Sequence, residues 1–472
     1  MPIVNSVEKP LRASWRCGIA LGALVAGLSI GPGATAQTTR ETALEQRLSQ
    51  LEAALATLRA ELAQARSDQQ VTAQEVATSV QIAQKADSRV TAMAEKPAPD
   101  GFRVGATTFK LGGFVKVVGS ATRYDDGEVA SGSLGKEFYL PQQIPIGGRS
   151  SRDVIGHARQ TRLSFSTSTP LGGKDVKSVI EFDFALAAAP LGAQRSTNPY
   201  TPTFRRGFIT YGNWLFGQEW TTFQNPGHLP ESTDFVGPMD GAIFVRQMMV
   251  QYKQPLGGGL DLYLAAENPQ TETVTSVSPA LVDNDQDRMP DLVGKLAYKG
   301  KIGEIHVAGL VRELSVRSNG VGDKAMGWGI TTGGKIPFGP QGRHDIRFLA
   351  TYGHGMGRYF AVGYAPDAIY DAAMGNQLHV VDNFAGFAAA KLGWTPTVRS
   401  TFMVGYQHAD YPDDIALPGL ANREAYSFAG NLFWSPVKNL DLGIEYRHAQ
   451  RKVVSGLTGQ MDRIEMATKY NF

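Results

Sequence analysis

The chain has 472 residues, of which 19% are charged, 42% are apolar and 53 are Gly, with a formal net charge of +2. No stretch in its body reaches the roughly 18 apolar residues of a transmembrane helix, which excludes a helical membrane protein. No basic stripe runs along it, which argues against a nucleic-acid partner.

Residues 1–36 read as a secretory signal, with Lys9, Arg12 and Arg16 as a positive start, an apolar run from Gly18 to Ile30, and Ala34-Thr35-Ala36 as a small-residue cleavage site before Gln37. The apolar run is too short to span a bilayer. Cleavage would remove three basic residues and Glu8, bringing the net charge to zero. It would also remove Cys17, the single cysteine, so the mature chain is expected to carry no disulfide or thiolate metal site.

Residues 37–95 carry a heptad repeat. Leu48, Leu55, Leu62, Val76, Ala83 and Val90 form the a seam, and Leu44, Leu51, Leu58, Ala65, Ala86 and Met93 the d seam. No Gly or Pro interrupts the stretch from Gln37 to Lys96, and the remaining faces are rich in helix formers. This predicts an α-helical coiled coil whose number of chains the seams do not decide, Gln69, Thr72 and Ser79 being polar seam positions. The linker 96–104 opens with Lys96-Pro97-Ala98-Pro99-Asp100-Gly101, which breaks the helix.

From residue 105 to 472 the period changes to two, as in Phe109, Leu111, Gly113, Val115 and Val117 against Lys110, Gly112, Lys116 and Ser120. Sixteen strands are predicted, near 105–124, 157–169, 174–188, 203–212, 214–221, 243–254, 259–268, 290–300, 303–314, 325–337, 342–354, 381–395, 398–409, 423–435, 438–450 and 459–472. Short turns alternate with longer polar loops, the asymmetry of outer-membrane barrels. A soluble sandwich would bury its apolar faces; here the strands are long enough to cross a bilayer at a tilt, with broad apolar faces opposite Lys, Arg, Glu and Asp. The expected fold is therefore an all-β transmembrane barrel of about 16 antiparallel strands behind an N-terminal coiled coil. Trp214, Trp394, Trp434, Tyr470 and Phe472 lie near strand ends, as interfacial girdle residues do. An even strand number places both barrel ends, and the coiled coil, in the periplasm.

No catalytic constellation, metal-spaced His pair or cofactor motif is found. Asp283, Asp285 and Asp287 have the opening spacing of a calcium loop but lack its Gly and distal Glu, and read as a solvated loop. The informative residues are charges that alternation turns inward: Lys116, Arg162, Glu181, Asp183, Lys295, Arg312, Arg347, Glu445 and Arg447, with Glu465 on the last strand. In lipid an Arg or Lys at the midplane would cost roughly 2–4 kcal/mol, so they are expected to line the pore, with Arg162 and Glu181 as a candidate pair across one hairpin. Six basic against four acidic residues bias the lumen weakly towards anions. The loop 222–241, with Pro226, Pro230 and Pro238 and the carboxylates Glu231, Asp234 and Asp240, is the candidate constriction, an acidic segment facing a basic wall. Strands 203–221 alternate poorly, as if covered by this loop inside and a neighbouring subunit outside. On the last strand Ile464, Met466, Thr468, Tyr470 and Phe472 share one face, and Tyr470 and Phe472 resemble the C-terminal signal read by outer-membrane assembly machinery.

Short motifs in this order resemble those of the DcaP-like trimeric outer-membrane porins. They are Thr107-Thr108-Phe109-Lys110-Leu111-Gly112-Gly113-Phe114, His157-Ala158-Arg159-Gln160-Thr161-Arg162-Leu163, Thr167-Ser168-Thr169-Pro170, Gly217-Gln218-Glu219-Trp220-Thr221-Thr222-Phe223 and Asp287-Arg288-Met289-Pro290-Asp291. Glu219 departs from the pattern, standing where a small polar residue is expected. The resemblance implies a homotrimer with a periplasmic trimeric coiled coil and a preference for small organic anions such as dicarboxylates. The functional expectation is a passive porin for small anionic solutes in outer-membrane lipid. A non-selective porin and a barrel that anchors a coiled-coil tether to the cell wall are the rivals.

Overall fold

A computed structural model describes residues 101–472 except 187–196, 198, 283–286, 319–320, 372–376 and 414, together with Leu48, Ser49, Ala56, Thr57 and Gln64. Those five residues are helical; the rest of the expected signal and heptad segment, and Asp283 and Asp285, lie outside the described residues. The chain divides into two units, Met1–Ala92 and Met93–Phe472, and every described strand belongs to the second.

β1 (Phe102–Val104) turns back onto β2 (Thr107–Tyr124). The second stave of the wall is shared by β3 (Ser151–His157), which pairs with the second half of β2, and β4 (Arg162–Leu171), which pairs with the first half. The wall continues through β5 (Lys174–Asp183), β6 (Thr203–Tyr211), β7 (Trp214–Trp220), β8 (Arg246–Gly257) and β9 (Leu260–Glu267). β10 (Thr273–Thr275) and β11 (Ser278–Val282) lie in the next loop, before β12 (Asp291–Gly300), β13 (Gly303–Ser318), β14 (Val321–Phe338) and β15 (His344–His354). After β16 (Ala368–Asp371) and β17 (Gln377–Val380), the wall is completed by β18 (Asp382–Gly393), β19 (Val398–Asp410), β20 (Asn422–Val437), β21 (Leu440–Val453) and β22 (Thr458–Asn471).

Neighbouring staves pair antiparallel, and β22 returns to β2 from Phe114↔Asn471 to Tyr124↔Met461. The sheet has 18 strands; with β1 a short flap and β3 and β4 sharing a stave, they form a closed barrel of 16, the expected number. No helix among the described residues is long and apolar enough to cross a membrane. The wall is inverted relative to a soluble protein. Val115, Val117, Phe402, Val404, Ile464 and Met466 are 46–58% exposed on the outside, while Lys116, Met403 and Glu465 between them are 2–8% exposed on the inside.

The long loops do not simply project outwards. Segments 125–150, 221–245 and 355–371 fold into the barrel and pack Phe138, Tyr139, Ile144, Val236, Met239, Tyr364 and Ile369 into an apolar core. A second sheet, ordered β11-β10-β16-β17 with β10 parallel to β16, joins the loop between β9 and β12 to the strands before β18 and was not predicted, its strands being only three to five residues long. β3 likewise falls in a stretch read as loop.

At the seam, Gly113 and Phe472 exchange two backbone hydrogen bonds of 3.2 and 3.1 Å, so the last residue extends the closing ladder. Deleting Phe472 is expected to lower the yield of folded, heat-modifiable barrel on gels while leaving the conductance of each inserted channel unchanged. Normal barrel yield from the truncated chain would refute this.

Candidate functional site

The loop between β7 and β8 crosses the barrel interior. Turn chemistry shapes it: Pro226, Pro230 and Pro238 forbid strand pairing, the Asn225 side chain accepts from Gly227 N at 3.0 Å, and Asp234 Oδ2 accepts from Val236 N and Gly237 N at 3.2 Å. A succession of wall groups then fixes its course. Lys295 Nζ donates to Gln224 O at 3.1 Å, Arg347 Nη1 to Leu229 O at 2.5 Å, and Arg399 grips Glu231 through two bonds of 2.7 and 2.5 Å. Ser232 Oγ donates to Glu445 at 2.7 Å, Lys116 Nζ to Asp234 O at 3.2 Å, and Ser427 Oγ to Asp240 Oδ1 at 2.8 Å. Close approach is possible because glycines stand at two contact points, Gly241 on the loop and Gly405 on the wall. A Cβ on Gly241 would lie 2.3 Å from Gly386 O, and one on Gly405 2.4 Å from Asp240 Oδ1.

This course redistributes the expected pore residues. Arg312 is 1% exposed, donates to the Gln270 carbonyl, and lies 3.4 Å from Asp291 and 3.0 Å from Asp367, beneath the inward-folded segment 355–371. Arg447 and Glu445 pair at 2.9 Å and are sealed by the Tyr139 ring and Ser232. Arg347 is held by Asp345 at 2.7 Å. These four side chains therefore support loops rather than an open surface, because inward alternation puts them under segments that pack like a protein interior. Asp234 and Asp240 are also buried: Asp234 Oδ1 accepts from Tyr139 N at 2.8 Å. Burial pushes the Asp240 carboxyl up to about 6, against the pull of Arg447. The acidic face expected of the loop is reduced to Glu231, which meets Arg399 and, at 3.8 Å, Lys391.

Arg162 approaches Glu181 and Asp183 to 3.8 Å each, yet the closest partner of both carboxylates is Arg205, a residue the sequence did not single out. Arg205 binds Glu181 at 2.9 Å and Asp183 at 2.5 Å, and Arg206 binds Glu219 at 2.7 and 2.5 Å. A β-bulge explains both the omission and the poor alternation of 203–221. Glu181 pairs with Arg206 but Phe182 with Phe204, so Arg205 is an extra residue and two consecutive arginines turn inward. Phe204 stays outside, 53% exposed, with its ring over Gly207.

Near the seam Phe114, Lys116, Arg162, Glu231, Asp441 and Lys469 line a cavity of about 260 Å³. Lys116 and Lys469 stand directly opposite each other across the ladder. Among the described residues Lys116, Arg246, Lys295 and Lys469 have no carboxylate within ion-pair distance. They rest instead on Gln160 Oε1 at 2.6 Å (Lys116), on the rings of Trp220 and Phe244 (Arg246), on the Tyr263 ring (Lys295) and on the Phe114 ring (Lys469). Tyr470 and Phe472 are outward, 51% and 46% exposed.

Replacing Arg312 by Ala leaves Asp291 and Asp367 buried without their cation, at a cost of roughly 3–5 kcal/mol. The variant is expected to unfold at a markedly lower temperature in heat-modification gels; an unchanged midpoint would show that the pair does not hold the loop.

The crystal structure of the outer membrane channel DcaP of Acinetobacter baumannii superposes with a TM-score of 0.66 at 26% identity, covering 79% of this chain and all of that one. OmpT of Vibrio cholerae, 10% identical over 79% of this chain and 99% of its own, gives a TM-score of 0.49. An anion-selective porin from Comamonas acidovorans, also 10% identical over 78% of this chain and all of its own, gives 0.47. No curated protein sequence matches the chain. The family model of the DcaP outer membrane protein matches residues 148–472, and with the sixteen-stranded barrel this establishes that the chain belongs to the DcaP family of outer-membrane channel proteins.

Proposed function

We propose that the chain is a passive porin that favours small organic anions, dicarboxylates among them. Solutes diffuse through the water-filled space between the 221–245 loop and the wall, and the loop limits their size. The observation that carries this reading is a group of inward cations without a carboxylate in ion-pair distance, of which Arg246 and Lys469 rest on aromatic rings while Lys116 and Lys295 also hold the loop backbone. A cation already neutralised by a neighbour attracts a passing carboxylate weakly; one resting on an aromatic ring or an amide keeps its field. Arg162 and Arg206 add partly exposed charge at 25% and 28% of their side chains, tempered by Glu181 and Glu219. In this reading the mature chain forms a trimer, residues 1–36 are removed on export, residues 37–95 form a coiled coil in the periplasm, and Phe472 serves the assembly machinery.

Reversal potentials in planar bilayers under a salt gradient test the selectivity. Wild-type channels are expected to prefer anions, and Lys469→Gln or Arg246→Gln each to lower the anion-to-cation permeability ratio by about two- to fivefold, as loss of one charge some 5 Å from the path implies. Cation preference in the wild type would overturn the anion reading, and absence of conductance would overturn the porin.

A further inference from the structure

Most wall contacts of the 221–245 loop are ion pairs or bonds to backbone carbonyls, but one is a pair of imidazoles. His228, at the end of the turn Pro226–His228, and His306, inward on β13, are each 1% exposed; their Nδ1 atoms lie 3.1 Å apart and their ring centres 4.9 Å apart. Between two Nδ1 atoms only one can donate. Asn225 decides which. Its Oδ1 accepts from Gly227 N at 3.0 Å, which turns its Nδ2 towards His228 Nε2 at 3.1 Å. His228 Nε2 is therefore an acceptor, the His228 proton sits on Nδ1 and is donated to His306 Nδ1, and His306 carries its own proton on Nε2. Gly333 leaves room for that ring, since a Cβ there would lie 2.9 Å from His306 Cε1.

Any added proton breaks this network. On His228 Nε2 it faces the Asn225 amide hydrogens; on His306 Nδ1 it faces the His228 N–H. The surroundings resist it as well: Lys295 from β12, Lys335 from β14 and Arg347 from β15 oppose a positive charge at His228, and Glu304 from β13, which favours one, is engaged by Lys299 at 2.7 Å. We propose that the His228–His306 pair is an acid-released latch, closed while both rings are neutral and opened by protonation, which frees residues 225–229 of the loop from the wall. Its effect on transport rests on the interior being the solute pathway; the latch itself does not.

The pH window follows from burial, which pushes the His228 imidazole down from 6.5 to about 4. A depressed imidazole contributes stability that is complete above 6.5 and is lost as pH falls through about 4. Asp240, on the same loop, has the opposite sign: its raised carboxyl makes the packed state relatively more stable as pH falls through about 6. Release in acid therefore cannot come from Asp240.

The test compares the full-length wild type with a His228→Asn, His306→Asn double variant between pH 7.5 and 4. Hydrogen exchange of residues 225–229, corrected for intrinsic rates, is expected to lose about a hundredfold of protection in wild type across this range, and to lose none in the variant. Single-channel records should show acid-induced current fluctuations in wild type alone. Unchanged protection in wild type, or the same pH response in the variant, would overturn the latch. Silent channels with the expected exchange would overturn the porin reading and leave the latch standing. If the variant does not assemble, imidazole ¹⁵N shifts in wild type decide: both rings neutral at pH 6, with the Nδ1–H form at His228 and the Nε2–H form at His306, are expected, and a charged ring at that pH would overturn the proposal.

Discussion

Closure of β22 on β2 is the constraint on which everything else depends. In hydrocarbon no water is available to unpaired backbone groups, so a sheet can cross a membrane only when its two edges satisfy each other. The eleven-residue register from Phe114↔Asn471 to Tyr124↔Met461, continued by the Gly113–Phe472 bonds, does this. Once the edges are joined, the outer face needs only apolar side chains and the inner face is free to hold charge. The outward Ile464 and Met466 beside the inward Arg463 and Glu465 express both consequences within four residues of one strand.

Charge turned inward is not charge exposed to solute. The interior of this barrel is occupied by loops that bury aromatic and aliphatic side chains as a soluble domain would, each contributing about 1.5–3 kcal/mol when fully buried, and that apolar packing favours compensation of the charges beneath it. Arg312 with Asp291 and Asp367, and Arg447 with Glu445, satisfy the demand with ion pairs. Glu219 is another instance. It answers the second arginine that the bulge at Glu181 turns inward, which gives a physical reason for a carboxylate where a small polar residue was expected. Of the cations left without a carboxylate, Lys116 and Lys295 are tied to the backbone of the 221–245 loop, whereas Arg246 and Lys469 rest on aromatic rings.

The strand count and the inside-out alternation were legible because they are local: a period of two and a short turn can be read from neighbouring residues. The same periodicity identified Arg312, Arg347, Glu445 and Arg447 as inward, and inward they are, but whether a residue faces water or a loop depends on contacts such as Ser232 to Glu445 that join positions 213 apart in the chain. Arg205 and Arg206 escaped notice for a different reason. A bulge resets parity, and nothing in Thr203-Phe204-Arg205-Arg206-Gly207 marks the bulge apart from the glycine that accommodates the Phe204 ring. The heptad of residues 37–95 is the clearest pattern in the sequence, and it lies outside the described residues save for five helical positions.

The chemistry of the loop's anchors also separates what holds it permanently from what can let it go. Arg399 keeps its charge at any pH the cell meets and holds Glu231 through two bonds. Arg347 donates to the Leu229 carbonyl, which does not titrate at all. An imidazole pair is different in kind, because its hydrogen bond and the Asn225 contact behind it both depend on unprotonated ring nitrogens, and the ordinary titration of imidazole lies near the pH of natural waters. His228 is bracketed by two lasting contacts, Lys295 to Gln224 on one side and Arg347 to Leu229 on the other. Loss of the imidazole bond would therefore free a short span between fixed points, and would change the profile of the pathway without dismantling the fold that forms it.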